Sequence, residues 1–137
     1  MDCLFCKIIA GEIPCTKIYE DDLVLAFLDI KPVHPGHTLV IPKTHASTLF
    51  AMDQALVKSW AAAIQNIAKA VVKGTGAHGF NLELNDGSAA GQLVPHVHMH
   101  IVPRFDHDGL RHWPGTAYQN AAEAQTVAEK IKKNFQF

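Results

Sequence analysis

Pro95 to Pro103 reads PHVHMHIVP, and three of the chain's nine histidines, His96, His98 and His100, fall inside it, alternating with Val97, Met99 and Ile101. An imidazole that is neutral near pH 7 accepts a proton, attacks an electrophile or ligates a metal. Successive side chains of an extended strand point to opposite faces, so the histidines line one face and the apolar residues enter the other. Neighbouring histidines then stand about 6.5–7 Å apart at the backbone, and the outer pair about 13 Å. Two adjacent rings reach one ion, whereas three closing on it require the outer pair to lean inward. The run therefore has room for more than one task. Metal binding, stepwise attack on a substrate laid along the strand, and a merely histidine-rich exposed face are the readings open at this point.

Two other segments carry chemistry-bearing residues. Cys3 and Cys6 form a C-x-x-C pair, read as a metal pair, a redox pair or coincidence. In NDGSAAGQ, Asn85 precedes Asp86-Gly87 and Ala90-Gly91-Gln92, a tight loop whose backbone N–H groups and amide side chains suit an anion. The same letters also spell an ordinary Asn-Asp-Gly turn.

The elements that must position these residues follow from periodicity. Asp2 is expected to cap a short helix through CLFCKII that Gly11 ends, with Cys3 and Cys6 one turn apart on a shared face. KIYEDD, LVLAFLDI and HTLVIPK read as three short strands with antiparallel connections. From Asp53, an N-cap, to Gly74, the residues Leu56, Trp60, Ile64, Ile67 and Val71 recur at helical spacing, the strongest helix in the chain. GFNLELND and HVHMHIV alternate as half-buried strands, the former with Phe80, Leu82 and Leu84 on one face. A last amphipathic helix is expected from about Ala121 to Ile131, carried by Ala124, Val127, Ala128 and Ile131. Strands gathered around one long helix without strict βαβ alternation predict an α+β domain with an antiparallel sheet, and no linker or repeat divides residues 1–137.

Charged residues make up 18% of the 137 residues and net charge is −1, so no basic field exists for a nucleic-acid backbone. No apolar run approaches the roughly 20 residues of a membrane span, and MDCLFCKIIAGEIP lacks the pattern of an export signal. Three cysteines, an odd number, predict free thiols in a reducing compartment, so the cytoplasm is the expected location.

HVHMHIV fits His-φ-His-φ-His-φ-φ with φ apolar, and the chain resembles the histidine triad superfamily of nucleotide hydrolases and transferases, in its Hint-like and bacterial branch. CKIIAGEIP, VLAFLDIKPVHPGHTLVIPKTH and NDGSAAGQ fall in the family's order at its approximate spacings. The resemblance implies a five-stranded antiparallel sheet with one long and one shorter helix, extended across a homodimer. It implies that His98 attacks the α-phosphorus of a purine nucleotide conjugate of the adenosine phosphoramidate type, forming a nucleotidyl-histidine. A nearby backbone carbonyl would hold the nucleophile's other nitrogen, and His100 would contact the phosphoryl or leaving group. Asn85, Gly91 and Gln92 match positions that steady phosphate and leaving group, and Asp29 matches the acid that holds the ribose hydroxyls. Phe5, Ile8, Phe27, Leu28 and Ile30 resemble the walls of the base pocket, and His37 matches a supporting histidine.

By the same resemblance Cys3, Cys6, His45 and His96 would bind a structural zinc, with no organic cofactor required. One departure stands out: several members of that family carry Ser or Thr just after the Gly-Gln pair, where this chain has Leu93, which places hydroxyl assistance to the leaving group in question. Two rival readings accompany the phosphoramidase: a dinucleoside polyphosphate hydrolase, and a zinc-stabilised nucleotide-binding or partner-binding module with little turnover.

Overall fold

Residues 24–28 are buried along nearly their whole length because alternate side chains serve two different cores. Val24 and Ala26 join Val40, Ile101 and the helical stripe Trp60, Ile64, Ile67 and Val71 on one side of the sheet. Leu25 and Phe27 join Leu39, Ile41, Cys3 and Phe5 on the other. The computed structural model describes residues 2–136. Its strands are β1 (Lys17–Glu20), β2 (Val24–Leu28), β3 (Thr38–Pro42), β4 (Gly79–Glu83) and β5 (Met99–Arg104), and its helices α1 (Leu4–Ile9), α2 (Gln54–Thr75) and α3 (Ala121–Lys132). The strands form one antiparallel sheet in the order β1-β2-β3-β5-β4, the α+β arrangement expected above.

α2 covers the first face. Asp53 caps it by accepting from the Ala55 and Leu56 N–H groups at 2.7 and 3.4 Å. It runs past Gly74 and ends at Gly76, whose φ of +71° suits glycine. The Trp60 indole N–H donates to the Val40 carbonyl at 3.2 Å, tying helix to sheet. The other face keeps the histidines: His100 pairs with Leu39 across β5 and β3, so it shares the face of Phe5 and Phe27.

Four local expectations change. α1 is capped by Cys3, whose Sγ accepts from the Cys6 N–H at 3.5 Å, and not by Asp2, which pairs instead with Lys7 at 2.8 Å. The ladder of β5 starts at Met99, so His96 and His98 precede the paired strand. Pro42 at the end of β3 has no N–H to extend the ladder, and Val97 turns its own N–H to the Ala46 carbonyl at 2.8 Å. β4 is an edge strand whose apolar side chains Phe80 and Leu82 stay about half exposed, since no described residue covers them fully. α3 forms where expected, but it buries no residue fully and Ile131 is exposed.

Candidate active site and metal centre

The three histidines divide by proton placement, His98 carrying its proton on Nδ1 and His96 and His100 on Nε2. His98 is buried, and its Nδ1–H donates to the His96 carbonyl at 2.8 Å. A neutral imidazole has one N–H, so this bond leaves Nε2 of His98 with a bare lone pair. Phe5 sets its ring edge-on to His98 with centroids 5.1 Å apart, which fixes the imidazole from the α1 side.

His100, its ring centroid 5.1 Å from that of His98, is set the opposite way. The Val33 N–H donates to Nδ1 of His37 at 3.0 Å, which makes that nitrogen an acceptor and places the His37 proton on Nε2. His37 Nε2–H then donates to Nδ1 of His100 at 2.9 Å, leaving the His100 proton on Nε2. Burial, reinforced by the neighbouring His98 and His37, pushes His100 down to about 4, and burial also lowers His37 against the opposing pull of Asp29. Both rings are therefore neutral at pH 7, as the hydrogen-bond assignment requires. One ring offers a lone pair and its neighbour a proton, the combination that attack at phosphorus needs.

His96 turns away from this pair. Its Nε2–H donates to the Pro42 carbonyl at 2.8 Å, which leaves Nδ1 bare among Cys3, Cys6 and His45. Burial holds its pKa below the ordinary value. Cys3 Sγ and Cys6 Sγ lie 3.5 and 3.7 Å from that nitrogen, Cys6 Sγ lies 3.4 Å from His45 Nδ1, and the two Nδ1 atoms are 3.2 Å apart. Zinc bond lengths of about 2.3 Å to sulfur and about 2.05 Å to nitrogen give tetrahedral S···N edges of about 3.5 Å and N···N edges of about 3.3 Å. The four donors fit such an ion in both chemistry and spacing. Asp29, His37 and His100 also bring ligand atoms within 4.8 Å of one another. That trio does not fit a metal: ligation through Nε2 of His37 would move its proton onto Nδ1, where the Val33 N–H already points.

Asp29 lies at the end of β2 with Oδ1 accepting from the Lys31 N–H at 2.8 Å and Oδ2 3.7 Å from His37 Nε2, half-buried beside the histidine pair. The loop after β4 departs from a set of free donors. The Gly91 N–H donates to the Ser88 carbonyl at 3.0 Å. The Gln92 amide accepts from the Gly87 N–H at 2.8 Å and donates to the Ser47 and Val94 carbonyls at 2.7 and 3.0 Å. Gly91 is engaged within the loop and Gln92 ties the loop to the Ser47 carbonyl, and Asn85, which among the described residues has no hydrogen-bond partner, keeps its amide available. Leu93 is fully solvent-facing at 93% exposure.

The expected base-pocket residues divide. Phe5 and Phe27 meet edge to face at 5.7 Å under the histidines, and Ile8 packs on the same cluster. Leu28 lies one residue out of phase and lines a cavity beneath α2, and Ile30 is 93% exposed, so neither joins that wall. The Val33 N–H and the Pro42 carbonyl were not foreseen. As backbone groups they have no signature in residue type, and only the fold aims them at a histidine.

Comparison with known proteins follows the same outline. The family description HIT domain matches residues 10–107. The chain is 51% identical over 104 residues to Protein hit of Bacillus subtilis, covering 76% of this chain and 72% of that one. It is 39% identical to adenosine 5'-monophosphoramidase hnt1 of Schizosaccharomyces pombe over 137 residues, 96% of this chain and 100% of that protein. Adenylylsulfatase HINT3 of Arabidopsis thaliana is 49% identical over 109 residues, but the match spans 80% of this chain and only 55% of the plant protein. Among solved structures, a HIT family protein from Bacillus subtilis superposes with a TM-score of 0.92 at 42% identity, covering 100% of this chain and 99% of that one. A zinc-bound histidine triad protein from Mycobacterium smegmatis superposes with a TM-score of 0.77 at 39% identity, covering 98% and 99%.

Proposed function

The chain belongs to the histidine triad (HIT) family, and from that premise we propose that it cleaves a purine nucleotide conjugate at its α-phosphorus through a covalent nucleotidyl-histidine. The observation that carries this reading is the opposed proton placement of His98 and His100. In the first displacement the bare Nε2 of His98 forms a bond to phosphorus while the bond from phosphorus to the leaving atom breaks. The ring becomes a cationic N-phosphoryl imidazole, stabilised by its Nδ1–H against the His96 carbonyl. His100 Nε2–H donates to the phosphoryl oxygen or the departing atom, and Asn85 is the nearby amide free to add a donor. The departing amine takes up a proton from solvent as it leaves; water then attacks phosphorus and releases a proton to solvent, the N–P bond breaks, and Nε2 of His98 regains its lone pair. Two inversions give net retention.

On this reading Asp29 would accept from ribose hydroxyls, and Phe5, Ile8 and Phe27 would form the apolar wall for the base, which their shared cluster beside the histidines supports. The phosphoramidase named among the relatives favours an amine leaving group, and a dinucleoside polyphosphate is the rival substrate; side-by-side turnover separates them. Cys3, Cys6, His45 and His96 would hold zinc, which when bound supplies a structural tie between α1 and the histidine segment and steadies the His96 carbonyl that orients His98. The exposed β4 edge, with Phe80 and Leu82 open, favours a homodimer formed through that strand.

One observation favours a second reading, a zinc-stabilised nucleotide-binding module with little turnover. The Gly91 N–H and the Gln92 amide are already engaged, and Leu93 offers no hydroxyl, so few donors remain for a developing charge. A denaturing quench with nucleotide substrate labelled in the α-phosphate decides between them. Label is expected on wild type, in acid-labile linkage, and absent from His98→Ala. Binding of AMP without trapped label selects the module, and equal labelling of both proteins overturns the role of His98.

A further inference from the structure

Asp108 lies beyond β5, outside every segment that carries the histidine chemistry, yet its side chain is only 6% exposed and both carboxylate oxygens are fully engaged. Arg104 donates through Nε at 2.9 Å and Nη2 at 2.6 Å, the Phe105 and Leu110 N–H groups donate at 2.9 and 3.1 Å, and His34 Nε2–H donates at 3.0 Å. Two of these partners matter for the site. Arg104 ends the strand that carries His100. His34 opens the turn His34-Pro35-Gly36-His37, closed by the His37 N–H to the His34 carbonyl at 3.0 Å. Proline at the second position and Gly36 at φ +98° are the residues a type II turn requires. Packing confines this turn further, since a Cβ on Gly36 would fall 2.4 Å from Thr75 Cγ2. Val33, which donates to His37 Nδ1, is the neighbour of His34 in the chain. His34 also sets its ring edge-on to Phe105 at 5.5 Å, which leaves it one orientation toward the carboxylate.

We propose that Asp108 is a positioning residue for the His37–His100 hydrogen bond: one carboxylate grips the His100 strand through Arg104 and the His37 turn through His34, which fixes the separation of the two rings. This rests on the reading of His98 and His100 as the reacting pair. Without the grip, the turn shifts, the Val33 N–H no longer commits His37 to donating from Nε2, and His100 loses the bond that keeps its proton on the substrate side.

The test uses the full chain with two substitutions. Asp108→Asn removes the charge, while His34→Leu leaves the Arg104–Asp108 pair intact and cuts only the link to the turn. The ¹⁵N shifts of the His100 ring report its tautomer without any turnover. A single Nε2–H form is expected in wild type and a mixture in both variants. kcat is expected to fall on the order of 10- to 100-fold with little change in KM, His34→Gln, which keeps a donor, recovering part of the loss. In a His37→Asn background the same substitutions should cost less than about 3-fold, because the residue they act through is gone. An unchanged His100 tautomer, or losses that add fully to that of His37→Asn, overturns the proposal. If wild type turns nothing over, the hydrolase reading fails, and the tautomer measurement alone still decides the role of Asp108.

Discussion

His98 and His100 are two residues apart and chemically opposite, because one ring meets a carbonyl and the other the end of a chain of donors. Neither property belongs to histidine as such. The burial of His100 and His37 also has a consequence for stability. The pKa of His100 falls from the usual 6.5 to about 4 on folding, and that of His37 moves in the same direction. Between these values the unfolded chain binds protons that the native state refuses, so stability is complete above about pH 6.5 and is lost as pH falls toward 4. Thermal melts at pH 7 and pH 5 should therefore show a drop for wild type. His100→Gln should show a drop smaller by a few degrees, since it removes one of the groups that resist protonation. Equal drops would mean that burial of His100 does not oppose its charging.

At the scale of elements, α1 is too short to hold itself in place. Phe5 packs it on Phe27, His96 and His98, and Cys3 and Cys6 add two sulfurs to the donor cluster with His45 and His96. If zinc ties these pieces together, Cys6→Ser should take the metal content from about one ion per chain to near none and lower the melting temperature by more than about 5 °C. If Phe5 walls the base pocket as proposed, nucleotide binding should weaken as well, because freeing α1 displaces that ring. Metal analysis beside calorimetry checks this, and a wild type that is stable and metal-free would end the zinc proposal. The loop after β4 shows the same dependence on neighbours. Gln92 is positioned to brace its loop against Ser47 and Val94, a task that no local feature of NDGSAAGQ announces.

For the whole molecule the unfinished surface is the β4 edge. Phe80 and Leu82, with Ile64, Ala68, Val72 and Met99, line an open apolar groove between β4 and α2. A contiguous apolar strip beside an unpaired strand edge is where a second copy extends a sheet. Light scattering should give twice the chain mass for wild type and the single-chain mass for Leu82→Lys, with the fold retained because Leu82 is half exposed. A monomeric wild type would remove the homodimer. Among the described residues no helix is long and apolar enough to cross a membrane.

The sequence by itself determined the elements and the residue types of the site. Strand alternation and the Trp60 to Val71 stripe are local periodicities, and PHVHMHIVP carries its chemistry in plain letters. Even there, chain-local reasoning erred where a neighbour intervened: Pro42 stopped the ladder short of His98, Cys3 took the cap from Asp2, and edge position left Phe80 and Leu82 open. Tertiary structure alone decided which nitrogen of each histidine is left bare. A ring's proton goes where a fixed partner puts it, and those partners, the His96 and Pro42 carbonyls and the Val33 N–H, are backbone groups brought to the rings by folding. It also distinguishes the two candidate metal clusters, because a histidine keeps a nitrogen bare for an ion or spends it on a hydrogen bond according to which nitrogen the backbone has already engaged.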